Sequence, residues 1–153
     1  MEKLNFEQIK EILVANFSLE DFAYDEVPYP DTYSEEAIES QKRRDEWMKN
    51  NPNPAYGSKE YEEWSEKLEV NPSQYDIAKK EFLSKLGINW KEVEQYGGED
   101  QGSTWYSVKY FPDHDVYIRV DGYYSSYNGT DFNGWDDDCK EVRPKQKTIT
   151  VYE

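Results

Sequence analysis

The hydrophobic period of this chain changes once, near Gly97-Gly98, and that change sets the class of fold open to it. Upstream, apolar residues recur at helical spacing; downstream they alternate. Asn5 can cap a first helix, with Gln8 in capping-box position and Phe6, Ile9, Ile12 and Leu13 on one face. The segment SLEDFAYDEVPYPDTY reads as a loop, because Pro28 and Pro30 break any helix there. Ser34 caps a second helix to about Asn50, Ser58 opens a third with Tyr61, Trp64 and Leu68, and Asn71-Pro72 opens a fourth. Tyr75, Ala78, Phe82 and Leu86 line that fourth helix, and Gly87 is its natural stop. A short helical turn is expected over residues 90–96.

Beyond Gly98, Thr104 to Phe111 alternates, and Val116, Ile118 and Val120 share a face opposite Tyr117, Arg119 and Asp121. FPDHD joins these runs as a hairpin connection, and YNGT is a second turn signal. Lys140–Arg143 and Lys147–Tyr152 read as two more strands. The expectation is an α+β fold in one domain, residues 1–153: about four N-terminal helices (1–96) packed on a C-terminal antiparallel sheet of about four strands (97–153).

Aliphatic residues are scarce: Leu, Ile, Val and Phe total 28 of 153, and the net charge is −15. Such a balance suggests disorder. Fourteen Tyr and five Trp argue against it, since each large ring can bury about 150–250 Å². The single cysteine, Cys139, excludes an internal disulfide. No apolar run reaches the ~18 residues of a membrane span, and no signal-peptide pattern opens the chain. A reducing cytoplasm is the expected compartment, and the charge should repel nucleic acid and anionic membrane.

The acidity lies mainly upstream, −12 over residues 1–100 against −3 over 101–153. It reads either as solvated helix faces or as a surface for a basic partner. Two groups are the candidate contacts: Glu20, Asp21, Asp25, Glu26 and Asp31, then Glu35, Glu36 and Glu39. The first occupies the proline-broken segment, where no helix explains so many carboxylates.

No catalytic signature appears, and no cofactor or metal is expected. His114, the sole histidine, reads as a surface turn residue, because Asp113 and Asp115 beside it point apart. Asp136 to Cys139 lacks EF-hand spacing. Cys139 has acidic neighbours that raise a thiol pKa, the reverse of activation. The glycines of GGEDQGS carry acids that would repel phosphate.

The stretch VDGYYSSYNGTDF remains. On a strand, Tyr123 and Tyr127 join Tyr117 on one face, while Tyr124 extends the Val116, Ile118 and Val120 row. Tyr with Ser is a paratope-like mixture, so Tyr117, Tyr123 and Tyr127 are candidate partner contacts. Together YGGEDQGSTWYSVKYF, VYIRVDGYYSSYNGTDF and KEVRPKQKTITVYE resemble the C-terminal module of small, largely uncharacterised bacteriophage and prophage proteins. The resemblance covers about residues 96–153 and implies a phage protein acting in a bacterial cytoplasm. Acidic proteins of that kind act as a class against host nucleic-acid-binding machinery, in the manner of anti-CRISPR and anti-restriction inhibitors and DNA mimics. The expected partner is therefore a basic bacterial host protein. Two alternatives stand beside it: a ligand-binding or enzymatic protein with a pocket between helices and sheet, and a virion or assembly component.

Overall fold

The computed structural model describes residues 2–98, 103–125 and 129–153. The fold is α+β, and it divides into two compact units. One is built from two chain segments, Met1–Glu26 and Ile88–Glu153; the other is Val27–Gly87.

The two-segment unit holds the sheet. Helices α1 (Phe6–Asn16) and α2 (Leu19–Ala23) precede strands β1 (Lys91–Tyr96), β2 (Ser103–Phe111), β3 (Val116–Ser125) and β4 (Gly129–Asp131). A short α6 (Trp135–Asp138) and β5 (Cys139–Val142) follow. All pairings are antiparallel in the order β1-β2-β3-β4, and β5 pairs with the first half of β3. Asn5 and Gln8 form the expected capping box, and α1 buries Ile9 and Leu13.

The register sorts the side chains. Lys109 lies opposite Ile118, Phe111 opposite Val116, Ser107 opposite Val120 and Trp105 opposite Gly122. These positions form the inner face. Phe22 of α2 lies against it, 5.0 Å from Trp90, 6.2 Å from Phe111 and 5.7 Å from Trp135, ring centre to ring centre. Phe17 meets Trp90 edge-on at 5.5 Å. Rings thus do the work of the missing aliphatics, each pair adding about 0.5–1.5 kcal/mol beyond its area. Gly122 is required here: a Cβ would lie 2.6 Å from Thr130 Cγ2 and 2.7 Å from Phe132 Cε1.

The helical unit comprises α3 (Glu35–Asn50), α4 (Lys59–Glu69) and α5 (Gln74–Leu86). Ser34, Ser58 and Ser73 cap them, and Gly87 ends α5 in the left-handed region at φ 72°. Few of its residues are deeply buried. A chain of rings, Tyr56–Tyr61–Trp64–Trp47, runs through it at 5.2 to 5.9 Å spacing. Ser40 Oγ donates to Pro72 O at 2.6 Å and Trp64 Nε1 to Asn51 O at 2.7 Å.

Four expectations are corrected. Residues 90–96 hold strand β1, not a helical turn; an exposed edge strand with polar residues on both faces shows no apolar alternation to read. The segment before Pro28 contains α2, capped by Ser18, whose side chain accepts from Asp21 N. Helix α5 begins at Gln74 behind a Ser73 cap, two residues past Pro72. Residues 147–152 form no strand and stay exposed, with no neighbouring strand to pair them. Of the YNGT signal, Tyr127 and Asn128 lie outside the described residues, as do Glu99 to Gly102 of the glycine-rich connection.

Phe22→Ala is expected to cost about 3–5 kcal/mol, since the ring joins helix, sheet and α6. Urea denaturation measures it; a loss below about 1 kcal/mol would show that the other rings hold the core without it.

Candidate functional site

Period two puts a lysine among core residues, because Lys109 shares the inner row with Trp105, Ser107 and Phe111. Lys109 is fully buried. Its Nζ lies 2.8 Å from Asp25 Oδ1 and 3.7 Å from Glu92 Oε1, and it donates to Ala23 O at 2.7 Å. Asp25 Oδ1 also accepts from Trp90 Nε1 at 2.7 Å, and Glu92 Oε1 from Ser107 Oγ at 2.6 Å. A buried ammonium is tolerated only with such partners. Asp25 reaches it because its backbone turns out of α2 at φ 59°, a left-handed conformation that aspartate tolerates.

This network borders an open cavity of about 410 Å³. Asp25, Glu92 and Gln95 supply polar groups, and Tyr24, Trp105 and Tyr124 supply rings. Gly97 and Gly98 complete one wall. At Gly97, φ is 92° and a Cβ would run into the Thr104 carbonyl. The cavity therefore joins two motifs of the sequence, the glycine pair at its one end and the tyrosine after Gly122-Tyr123 at the other. Sequence reading did not single out Lys109, Glu92, Gln95 or Trp105. The available signal was a lysine on an otherwise inward row.

The outer face of the sheet carries the tyrosines. Tyr96 stacks on Tyr106 at 5.6 Å, and Tyr110 on Tyr117 at 4.4 Å. The Arg119 guanidinium lies 4.0 Å from the Tyr106 ring centre and pairs with Asp121 at 2.8 Å. The hydrogen bond from Tyr106 to Glu94 Oε1 raises the Tyr106 pKa, with desolvation adding to it. Tyr123 is 55% exposed on this face. Tyr124 lies on the inner face, half-buried, as the alternation predicts. Tyr127 lies outside the described residues.

The candidate carboxylates separate. Glu20, Asp21, Asp25 and Glu26 lie in and just after α2, where Glu20 and Glu26 are exposed and Asp25 is committed inward to Lys109. Asp31, Glu35, Glu36 and Glu39 lie in the helical unit, all exposed, around the start of α3.

His114 is corrected: it is buried, not a surface residue, and its Nδ1 accepts from Leu4 N at 2.9 Å. Asp115 instead meets Arg143 at 3.7 Å. Asp138 accepts from the backbone N–H of Asn133 and Gly134, while Asp136 pairs with Lys10 at 3.2 Å. Burial pushes the Cys139 thiol up to about 12, with Lys10 opposing and Asp138 adding to the shift. Burial outweighs the acidic neighbours that sequence reading held responsible.

No protein-family model, no curated protein and no solved structure matches this chain.

Two measurements follow from this geometry. Lys109→Ala leaves Asp25 beside a cavity with no cation, at an expected cost of about 3 kcal/mol, the low end for a broken buried pair because Asp25 is partly solvated. Denaturant unfolding checks it, and an unchanged midpoint would show the pair to be dispensable. Cys139 should resist disulfide reagents near pH 8 in the folded protein and react once unfolded. A raised folded-state pKa means that the linked stability is present below about pH 8.5 and is lost as pH rises toward 12.

Proposed function

We propose that the chain is a stoichiometric binding protein that covers a cationic surface of a basic bacterial protein. The partner class is one that handles nucleic acid, such as a defence nuclease. The resemblance of residues 96–153 to phage-encoded modules supports an anti-defence inhibitor of anti-CRISPR or anti-restriction type, acting in the host cytoplasm.

Uncompensated charge is the observation that carries the reading. Glu20, Glu26, Asp31, Glu35 and Glu36 are exposed, and none pairs with a cation among the described residues. Glu39 has one weak, exposed partner, Lys42 at 3.7 Å. Glu20, Glu35 and Glu36 stand in first helical turns, where the helix dipole favours them, but Glu26 and Asp31 have no such role, and the surplus of acid attracts cationic surfaces and accelerates encounter. Sites that hold a phosphate backbone are built from Lys and Arg, which carboxylates can occupy in place of phosphate. The exposed Tyr123 and the stacked Tyr110–Tyr117 pair add rigid ring surface, the material of interface anchors. A second reading, sequestration of a small ligand, rests on the cavity beside Trp105.

Affinity capture from defence-bearing bacteria, followed by rate measurements on the captured protein, tests the first reading. Glu26→Lys with Asp31→Lys is the informative variant, because both positions lie outside helices and reversal there leaves helix termini intact. Association should slow on the order of tenfold at low salt, with the Tm nearly unchanged. Wild-type binding should also weaken steeply as salt screens charges beyond about 8–10 Å. Equal binding at low and high salt would refute the electrostatic contact.

A further inference from the structure

We propose that residues 147–152 of one copy of this chain add as an antiparallel strand to the open edge of β1 in a second copy, giving a reciprocal dimer. Two features that a single chain leaves unused carry the inference. Strand β1 is an edge: it pairs with β2 on one side only, and all six of its residues are exposed. The outward N–H and C=O groups of such an edge are a template for another strand. The segment KTITVY at 147–152 is made almost wholly of residues that favour strands, yet it pairs with nothing in its own chain. Ile149 is 79% exposed, Val151 70% and Tyr152 93%. The lengths agree, six residues of segment against six of edge.

Charge selects the strand that fits. Glu92 and Glu94, with the bulge between them, guard β1 against pairing with another β1, which would crowd carboxylates together. Residues 143–152 have the opposite sign: Arg143, Lys145 and Lys147 and no acid, in a chain of net charge −15. Arg143 is engaged by Asp115 and Glu141, which leaves Lys145 and Lys147 exposed and unpaired among the described residues. Antiparallel pairing sets Lys147 beside Tyr96 and diagonal to Glu94, whereas parallel pairing would set it against Lys91. Reach excludes the same chain as the source. Arg143 donates to Asp115 O at 2.7 Å and Pro144 has no N–H, so the chain leaves the sheet after β5. Strand β5 lies across β3 and β2 from β1, so a place outside β1 is about 19 Å away, four strand spacings. Residues 143–146 span at most about 14 Å when fully extended. The other outermost strands, β4 and β5, have three and four residues and are too short for the segment. The contact therefore takes a second copy, by strand addition in both directions.

Analytical ultracentrifugation of the full chain over a concentration series, with amide hydrogen exchange at both ends of the series, tests the assignment. The expected result is a reversible monomer–dimer equilibrium. Amides of β1 and of residues 148–152 should gain protection together as the dimer forms. Ile149→Asp with Val151→Asp brings acids to the Glu92 and Glu94 edge and should weaken dimerisation about tenfold or more. Val93→Lys, at an exposed position that the β1–β2 register skips, puts a lysine on the edge and should weaken it to a similar degree. Should Val93→Lys lose its cooperative melt, the Ile149 and Val151 variant, altered only at exposed positions, supplies the comparison. Three results overturn the proposal: a chain that stays monomeric up to millimolar concentration, a dimer in which these two sets of amides stay unprotected, or a folded variant that dimerises as wild type does. The readout uses this chain alone, so it stands or falls independently of the basic partner proposed above.

Discussion

The ion pair between Lys109 and Asp25 is the interaction on which the two-segment unit depends. Strand β2 delivers the ammonium to the inner face, and the turn out of α2 delivers the carboxylate from a residue more than eighty positions earlier. The same oxygen receives the Trp90 indole N–H, which fixes the start of β1 as well. Three elements are therefore oriented by one carboxylate. A buried pair of this kind is weak evidence of net stability, since desolvation offsets much of the attraction. Its stronger effect is on geometry: it ties the turn out of α2 to the middle of β2.

That geometry places the cavity where it is. Glu92 and Gln95 point inward from β1, an edge strand, beside the polar end of the inner face rather than its apolar end. The apolar end is closed by Phe22, Trp90 and Phe111, with Val116, Ile118 and Val120 in the same row system. One sheet face thus serves as a packed core along half its length and as a polar cleft along the rest. The opposite face keeps its tyrosines stacked in pairs, with Arg119 held between Tyr106 and Asp121.

Sequence alone carried the fold class, the helix caps at Asn5, Ser34 and Ser58, and the sorting of Tyr123 from Tyr124 across β3. Those features follow from local periodicity and capping chemistry. What stayed hidden was long-range. Strand β1 has polar residues on both faces, so only its pairing with β2 reveals it. His114 looks exposed in a turn between aspartates, yet a backbone N–H from Leu4, far away along the chain, covers it. Lys109 was legible as an inward lysine, but its partner Asp25 lay among acids that all looked alike. Nothing local distinguishes the one carboxylate that faces inward from the neighbours that face out.

The two-segment construction has a consequence for the order of events during synthesis. Residues 2–26 are translated before the surfaces they need, Trp90, Lys109, Phe111 and His114. At about 5–20 residues per second, the first helices wait several seconds on the ribosome with Phe17 and Phe22 unburied. The intervening helical segment closes on contacts among its own residues and needs no such delay. In that interval Phe17 and Phe22 are open to chaperones and to aggregation.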